Sequence, residues 1–282
     1  MDTHHGDVSI SRRHLLLSLA AGPLPLLVSS TTAKAAESRF THEQKEEFLL
    51  KAKIVNTRAA PKGVTGTIRA TLNDGTLTHE ASVQVIDDYR LRFEYAGGVE
   101  MNFKDTWKFN VAAYKLDRIL GLNMVPVTVE RKYMGKSGSF TWWVDDVMMD
   151  EGDRKKKHAE APDAANWSAQ MNIIRVFDQL IHNMDRNVGN IIIDKDWNAW
   201  MVDHSRCFRT LTSLRDPKYL VKCDSELLTK LKGLSMEGLK KELGLYLGDM
   251  EIRGLLARRD TIVKAFEEKG PSALYQSQRR PD

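Results

Sequence analysis

The chain has 282 residues, of which 42% are hydrophobic and 28% are charged. This is the composition of an ordinary globular protein, so it excludes wholesale disorder, a collagen-like fibre and a disulfide-stapled miniprotein. The 42 basic and 38 acidic residues give a formal net charge of +4, a balance that does not indicate nucleic-acid binding.

The N-terminal segment predicts export. The pair Arg12-Arg13 precedes an apolar run that continues to Val28, and a small-x-small sequence follows at 33–35. A basic start, a short apolar stretch and a small-residue exit are typical of a signal peptide, and the paired arginines resemble the twin-arginine export signal. Residues 1–36 are therefore predicted to be an export signal peptide, and the mature protein to be periplasmic or secreted, without membrane attachment after cleavage. A buried N-terminal helix and an uncleaved membrane tether are the alternatives.

Capping and turn residues predict the first elements of the mature chain. Thr41 with Gln44 resembles a capping box, and apolar residues at helical spacing extend the predicted helix as far as Ile54. Residues 68–86 predict a β-hairpin, because two strand-like runs flank an Asn-Asp-Gly turn at 73–75.

A helix and two further strands complete a predicted small lobe. Helical spacing extends from 105 to 120 and ends at Gly121, a residue type that favours helix C-termini. Residues 125–131 and 139–148 predict strands. Together, residues 40–148 predict a small β-rich N-lobe that carries one helix.

The second half of the chain predicts a larger helical lobe. The polar segment 150–163 is interpreted as a loop or exposed joint whose charges are solvated. Apolar residues keep a three-four spacing over 171–184, and further helical patterns over 227–266 are interrupted at glycines. Residues 149–275 therefore predict a helical C-lobe, and the whole chain an α+β fold of two lobes with a cleft between them.

The chain contains two cysteines, Cys207 and Cys223. In an oxidising compartment they could form a disulfide, but neither belongs to a metal-binding Cys-x-x-Cys pattern. Two buried, unpaired thiols are the alternative.

One segment combines the residue types of phosphoryl-transfer chemistry. The long predicted helix ends in a polar loop, and a β-hairpin follows over 191–203. Asp185 is five residues before Asn190, and Asp203 lies 13 residues beyond Asn190. Because the hairpin folds back, Asn190 and Asp203 can face one metal ion, and Asp185 can face the same space. Phosphoryl transfer needs a carboxylate that orients an acceptor hydroxyl and oxygen ligands for the magnesium that bridges the phosphates.

The same segment resembles a known superfamily. Residues 176–190 resemble the catalytic loop of atypical kinases, which include the phosphatidylinositol 3-/4-kinases, the secretory-pathway casein kinases and HipA-like bacterial kinases. Residues 201–206 resemble their metal-binding segment. The resemblance implies a two-lobe protein-kinase-like fold that binds ATP and Mg²⁺, with Asp185 as the catalytic aspartate and with Asn190 and Asp203 as magnesium ligands.

The sequence departs from the family pattern in the predicted small lobe. In such kinases a strand Lys holds the nucleotide phosphates and pairs with a Glu on the following helix. Gln84 stands where the Lys is expected, and Asn110 stands where the Glu is expected. Losing both charges together is coherent, because one alone would leave a buried charge unpaired. A Gln–Asn hydrogen bond could hold the helix, and Lys62, Lys104 and Lys108 are candidates for reaching the phosphates.

A glycine-containing turn precedes the first hairpin. Gly63 and Gly66 are candidates for a loop that cradles the nucleotide phosphates, although their spacing differs from that of typical glycine-rich loops. A plain turn is the alternative.

The acidic segment also has other interpretations. Asp185 and Asn190 could form an ordinary helix end and turn, since both residue types populate turns for backbone reasons. His182 and His204 flank the two acids, so the four side chains could instead form the transition-metal cluster of a phosphoesterase.

The favoured hypothesis is Mg²⁺-dependent transfer of the ATP γ-phosphate to a hydroxyl of a protein or small molecule. The alternative is a catalytically inactive pseudokinase that uses the cleft to bind a ligand or partner, which Gln84 and Asn110 motivate. The predicted partners are thus a nucleotide and a hydroxyl-bearing acceptor, without nucleic acid. Arg206 and Arg209 are possible anion contacts.

Overall fold

The computed structural model describes residues 40–60, 67–95, 98–277 and 280. The predicted signal peptide, Lys62, Gly63 and Gly66 therefore lie outside the described residues. From Phe40 onward the chain forms one compact unit.

The first helix, α1 (His42–Lys51), begins at the predicted capping box. The Thr41 hydroxyl accepts from the Gln44 backbone N–H at 3.3 Å, and the Gln44 side chain accepts from the Thr41 N–H at 2.9 Å. The helix is shorter than predicted. Ile54 lies in strand β1 (Lys53–Ala59), because the chain from Lys53 onward pairs with the next strand instead of continuing the helix.

A five-stranded antiparallel sheet forms the centre of the small lobe, in the order β1-β2-β3-β7-β6. The predicted hairpin is confirmed as β2 (Ile68–Asn73) and β3 (Thr78–Gln84). The other two strands are β6 (Thr128–Tyr133) and β7 (Lys136–Trp142). The predicted helix is confirmed as α2 (Trp107–Leu120), which ends at Gly121 in the left-handed region with φ 63°.

The two faces of this sheet differ in polarity, since successive side chains of a strand alternate between faces. One face carries the buried core residues Ala70, Leu72, Ala81, Val83, Phe140 and Trp142. Helix α1 packs on this face, where the ring centroids of Phe48 and Trp142 are 5.6 Å apart. The opposite face carries Arg69, Glu80, Ser82, Gln84, Ser139 and Thr141, and helix α2 contacts it through Asn110.

A second hairpin, β4 (Asp87–Tyr95) and β5 (Gly98–Thr106), is inserted between β3 and α2. The sequence analysis did not assign it, although apolar and polar residues alternate over 89–95 and 99–104 in the way that is typical of strands. Several of the large apolar side chains on both strands are exposed. These are Tyr89, Leu91, Val99 and Met101. Because β5 extends to Thr106, helix α2 begins at Trp107 and not at residue 105 as predicted.

The segment that connects the two lobes differs from the prediction in one strand and one loop. Residues 139–148 do not form a single strand, because the chain leaves β7 at Trp142 and enters β8 (Val147–Asp150) in a different sheet. The segment 150–163 contains a helix, α3 (Glu151–Lys156). That helix forms because Asp150 caps it and because buried Glu151 pairs with Arg154 at 2.5 Å.

The large lobe is built from helices and a small sheet. Helix α4 (Ala164–Leu180) precedes the polar loop, and β9 (Ile191–Asp194) and β10 (Ala199–Met201) form the predicted hairpin. Strand β8 completes this sheet in the order β10-β9-β8. The structure is therefore a mixed α+β fold with a β-rich N-terminal part and a helical C-terminal part, as predicted.

The remaining helices follow the glycine interruptions seen in the sequence. They are α5 (Ser225–Lys232), α6 (Met236–Leu243) and α7 (Asp249–Lys269). Strands β11 (Cys223–Asp224) and β12 (Leu274–Tyr275) form a short parallel pair. None of the helices in the described part of the chain has the length and apolarity needed to cross a lipid bilayer.

Both cysteines are buried, and they do not form a disulfide with each other. The predicted alternative of two buried thiols outside a disulfide is therefore confirmed. Burial raises the pKa of the Cys207 thiol well above its ordinary value, so this group stays protonated near neutral pH.

Candidate active site

The polar loop after α4 holds Asp185 through a chain of hydrogen bonds. The Asp185 backbone N–H donates to Asn183 Oδ1 at 2.9 Å, and Asn183 Nδ2 donates to Asp178 Oδ1 at 2.9 Å. Asp178 lies on α4, so the helix anchors the loop. No hydrogen bond or ion pair within the described residues engages the half-buried carboxylate of Asp185, which is therefore available to a substrate.

Arg186 joins the pieces of chain that surround this loop. Its Nε donates to both carboxylate oxygens of Asp178 at 3.1 Å. Its Nη1 donates to the backbone carbonyls of Asn190 and Val202, both at 2.9 Å, and its Nη2 is 2.8 Å from His204 Nε2. One guanidinium thus fixes α4, both ends of the β9–β10 hairpin and the segment after β10.

The contact with Arg186 also decides the protonation of His204. A guanidinium only donates, so Nε2 of His204 is the acceptor and the ring proton lies on Nδ1. Burial, with the nearby positive charge of Arg186, holds the pKa of His204 well below its ordinary value. Likewise, burial lowers the pKa of His182 to about 4. Across the described ranges, no group of three or more His, Cys, Asp or Glu side chains is placed to hold a metal, so the transition-metal cluster is the wrong interpretation.

The structure brings Asn190 next to the end of β10. The Val202 N–H donates to the Asn190 carbonyl at 3.1 Å, which places Asn190 beside the residue that precedes Asp203. Asn190 Nδ2 donates to the Asp185 carbonyl at 3.0 Å. This bond orients the Asn190 amide and leaves its oxygen for another partner.

Asp203 has an unusual backbone conformation for a residue with a side chain. Its φ of 57° lies in the left-handed region, which Asp tolerates better than most residues. Its Oδ1 accepts from Ser205 Oγ at 3.2 Å and from Gln84 Nε2 at 3.4 Å. Strained conformations of this kind are concentrated at functional sites.

Gln84 and Asn110 connect the two lobes. Asn110 Nδ2 donates to Gln84 Oε1 at 2.6 Å, which confirms the predicted Gln–Asn hydrogen bond. Asn110 Oδ1 accepts from the His204 N–H at 2.8 Å, directly after Asp203. Both amides are buried, with 8% and 5% of their surface exposed. A neutral pair therefore lies where the resemblance implies an ion pair. Gln84 contacts the Asp203 carboxylate, and Asn110 contacts the backbone of the next residue.

The donor set suits a hard divalent cation. Asp203 offers a carboxylate and Asn190 an amide oxygen, and Mg²⁺ prefers oxygen ligands. Of the three candidate lysines, the two that lie within the described residues are engaged in ion pairs. Lys104 is ion-paired with Glu251, and Lys108 lies 3.0 Å from Asp87.

Two acidic side chains near the site, Glu100 and Asp105, were not assigned by sequence reasoning, and the two arginines named as possible anion contacts pair with the first of them. Glu100 of β5 pairs with Arg206 at 3.1 Å and Arg209 at 2.5 Å, so these arginines hold the inserted hairpin against the segment after Asp203. Asp105 is also buried there. Burial raises its pKa, and the charge of Asp203 raises it further. These contacts join residues about a hundred positions apart, and nothing local in the sequence signals them.

The fold resembles solved structures, although no protein-family model and no curated protein matches the chain. The structure of hydra Fam20 with sugar has a TM-score of 0.62 and 15% identity, and the match covers 84% of this chain and 92% of that one. The Golgi casein kinase has a TM-score of 0.58 and 14% identity, with coverage of 86% and 79%. The same kinase with Mn/ADP bound has a TM-score of 0.56 and 14% identity, with coverage of 86% and 80%. The chain therefore has an atypical kinase-like fold.

Proposed function

We propose that this protein is an atypical kinase that transfers the γ-phosphate of ATP to a hydroxyl of a protein or small molecule. The observation that supports the proposal is the set of hydrogen bonds that joins Asn190 to the Asp185 carbonyl and to Val202, the residue before Asp203, within a kinase-like fold. The presence of Mn and ADP in a structure of the Golgi casein kinase supports a nucleotide and a divalent cation as ligands.

Each of the three side chains has a distinct role in this proposal. Asp185 orients the acceptor hydroxyl and accepts its proton. Asn190 and Asp203 hold Mg²⁺, which, when bound, neutralises charge on the phosphates. Gln84 and Ser205 fix one carboxylate oxygen of Asp203 by hydrogen bonds, so that the other oxygen is presented in a constant direction. Most of the catalysis is then positioning and charge neutralisation.

The neutral Gln84–Asn110 pair favours a second candidate, a pseudokinase that binds a ligand without transferring phosphate. A Lys–Glu pair would add a positive charge at the phosphates, whereas the amide pair only orients Asp203 and the His204 backbone. Nucleotide is accordingly stabilised less in this cleft, and the ATP supply outside the cytoplasm is low. We also propose, from the predicted signal at residues 1–36, that the protein acts after export.

Labelled-phosphate transfer and thermal shift with ATP and Mg²⁺ test the proposal. Asp185→Asn should retain nucleotide binding and lose transfer by a factor on the order of 10² to 10⁴, the usual contribution of a general base. Asp203→Asn should lose the magnesium-dependent part of the thermal shift as well. Asp196→Asn, in the exposed turn between β9 and β10, is the matched control and should behave as wild type.

The outcomes separate the two candidates. Transfer that survives both Asp185→Asn and Asp203→Asn would refute the assigned roles. Magnesium-dependent nucleotide binding without any transfer would support the pseudokinase. In that case Gln84→Lys combined with Asn110→Glu, which replaces the amide pair with an ion pair, tests whether the missing charges explain the inactivity.

A further inference from the structure

A cavity of about 450 Å³ lies at the beginning of α2. Its walls come from the connection between β3 and β4, the first turn of α2, the β6–β7 hairpin and the connection between α6 and α7. The described residues that line it include none of Asp185, Asn190 and Asp203. Sites for small organic ligands have volumes of about 300–1,000 Å³, so this cavity is large enough for such a ligand, and the proposed function does not use it.

Four charged side chains line the cavity, and two of them neutralise each other. Lys108 Nζ lies 3.0 Å from one carboxylate oxygen of Asp87, and the other oxygen accepts from Thr106 Oγ1 at 2.7 Å. The remaining two have opposite charges, Glu130 on β6 and Lys136 at the start of β7. Neither forms an ion pair with the other or with any further residue in the described ranges. One negative and one positive charge in the wall of the cavity are therefore uncompensated.

The alternation of β6 places Glu130 in this wall. Val129 is buried in the core, so Glu130, the next residue, lies on the opposite face of the sheet, where α2 packs. There the Tyr246 hydroxyl donates to the Glu130 carboxylate, and burial together with the charge of Glu130 raises the pKa of Tyr246. The Tyr246 ring packs edge-on against Trp107, with ring centroids 6.3 Å apart. Because the hydroxyl is a neutral donor, it orients Glu130 without neutralising its charge.

Apolar surface completes the wall. Val85 and the nearly fully buried Trp107 contribute to it, and so does Leu245, whose side chain is 86% exposed. A ligand that covers this surface gains the free energy of apolar burial, but it also displaces water from Glu130 and Lys136. A charge that loses water without gaining a partner is unfavourable. The favoured ligand therefore supplies one charge of each sign together with an apolar body.

We infer that this cavity binds a dipolar organic molecule, which places a carboxylate at Lys136, an ammonium at Glu130 and an apolar body against Trp107 and Leu245. Free amino acids and short peptides with apolar side chains share this chemistry. The Ser137 hydroxyl, next to Lys136 in the wall, is a further hydrogen-bonding group for the carboxylate. The inference is independent of the proposed phosphate transfer.

NMR chemical-shift titrations of the full chain test the inference with four probes: leucine, the dipeptide leucyl-leucine, N-acetylleucine and leucinamide. N-acetylleucine lacks the ammonium group, and leucinamide lacks the carboxylate. The two dipolar probes differ in the distance between their charges, so their relative affinity distinguishes a free amino acid from a peptide. The better dipolar probe should bind about twofold to fivefold more tightly than either single-charge probe, which is the effect of one partly exposed ion pair.

Two variants assign the charges, and both replace exposed side chains, so the fold should be retained. Lys136→Met should weaken the dipolar probe to the affinity of leucinamide and leave leucinamide binding unchanged. Glu130→Gln should weaken the dipolar probe to the affinity of N-acetylleucine and leave N-acetylleucine binding unchanged. Lys157→Met, at an exposed lysine that follows α3, is the matched control and should bind all four probes like the wild type.

Three results would overturn the inference. The first is that neither dipolar probe binds the wild type. The second is that the dipolar and single-charge probes bind with equal affinity, because the two uncompensated charges would then not select the ligand. The third is a dipolar preference that survives in both Lys136→Met and Glu130→Gln, which would place the ligand elsewhere on the protein.

Discussion

Replacing Asn110 with Ala tests whether the neutral interlobe pair organises the site. In the wild type, the Asn110 amide donates to Gln84 Oε1 at 2.6 Å and accepts from the buried His204 N–H at 2.8 Å. The substitution leaves both of these groups without a partner. Each unsatisfied buried group costs about 1–3 kcal/mol. We therefore expect the free energy of unfolding to fall by roughly 2–6 kcal/mol, and Tm by about 4–24 °C for a domain of this size.

Urea unfolding followed by circular dichroism measures this loss. Asn166→Ala, an exposed asparagine in the first turn of α4, is the matched control and should change the free energy of unfolding by less than about 0.5 kcal/mol. If Asn110→Ala were no more destabilising than Asn166→Ala, the two hydrogen bonds would not contribute as argued, and Asn110 could not be the residue that positions Asp203.

Three further predictions concern buried polar groups. Full burial raises the pKa of Asp117 to about 7. In the unfolded chain this carboxyl loses its proton near pH 4. The stability that the group contributes is therefore fully present below about pH 4 and is lost as the pH rises to about 7. Between about pH 4 and pH 7, the free energy of unfolding should therefore fall less in Asp117→Asn than in the wild type. Equal decreases in the two proteins would contradict the raised pKa. Arg186→Ala should lower the free energy of unfolding in urea by about 3 kcal/mol, because it leaves the Asp178 carboxylate, which is only 12% exposed, without its ion pair. A loss typical of exposed arginines would contradict the central role of Arg186. Cys207 and Cys223 should resist a thiol reagent in the folded protein and react in urea, whereas rapid labelling of the folded protein would show that they are accessible.

Local signals in the sequence predicted much of the fold. The Thr41 capping box, the hairpin turn at 73–75 and the C-terminal Gly121 each act over a few residues, so they can be recognised without knowing what packs against them. The same holds for the segment from Asp185 to Asp203, whose loop and hairpin are continuous in the chain. The predicted strand over 139–148 failed because its two halves belong to different sheets, which only the packing of the lobes decides.

The sequence by itself determined the helices α2 and α4, the first hairpin and the order of loop and hairpin from Asp185 to Asp203, because these depend on neighbours along the chain. Tertiary structure alone decided what surrounds them. Gln84 reaches Asp203 across 119 residues, and Asn110 reaches the His204 backbone across 94. The contact of Arg69 with the Trp143 ring likewise joins strand β2 to the residue that follows β7, although β3 lies between these two strands. Such contacts arise only when separate elements pack together, and no periodicity or capping pattern encodes which side chains then meet.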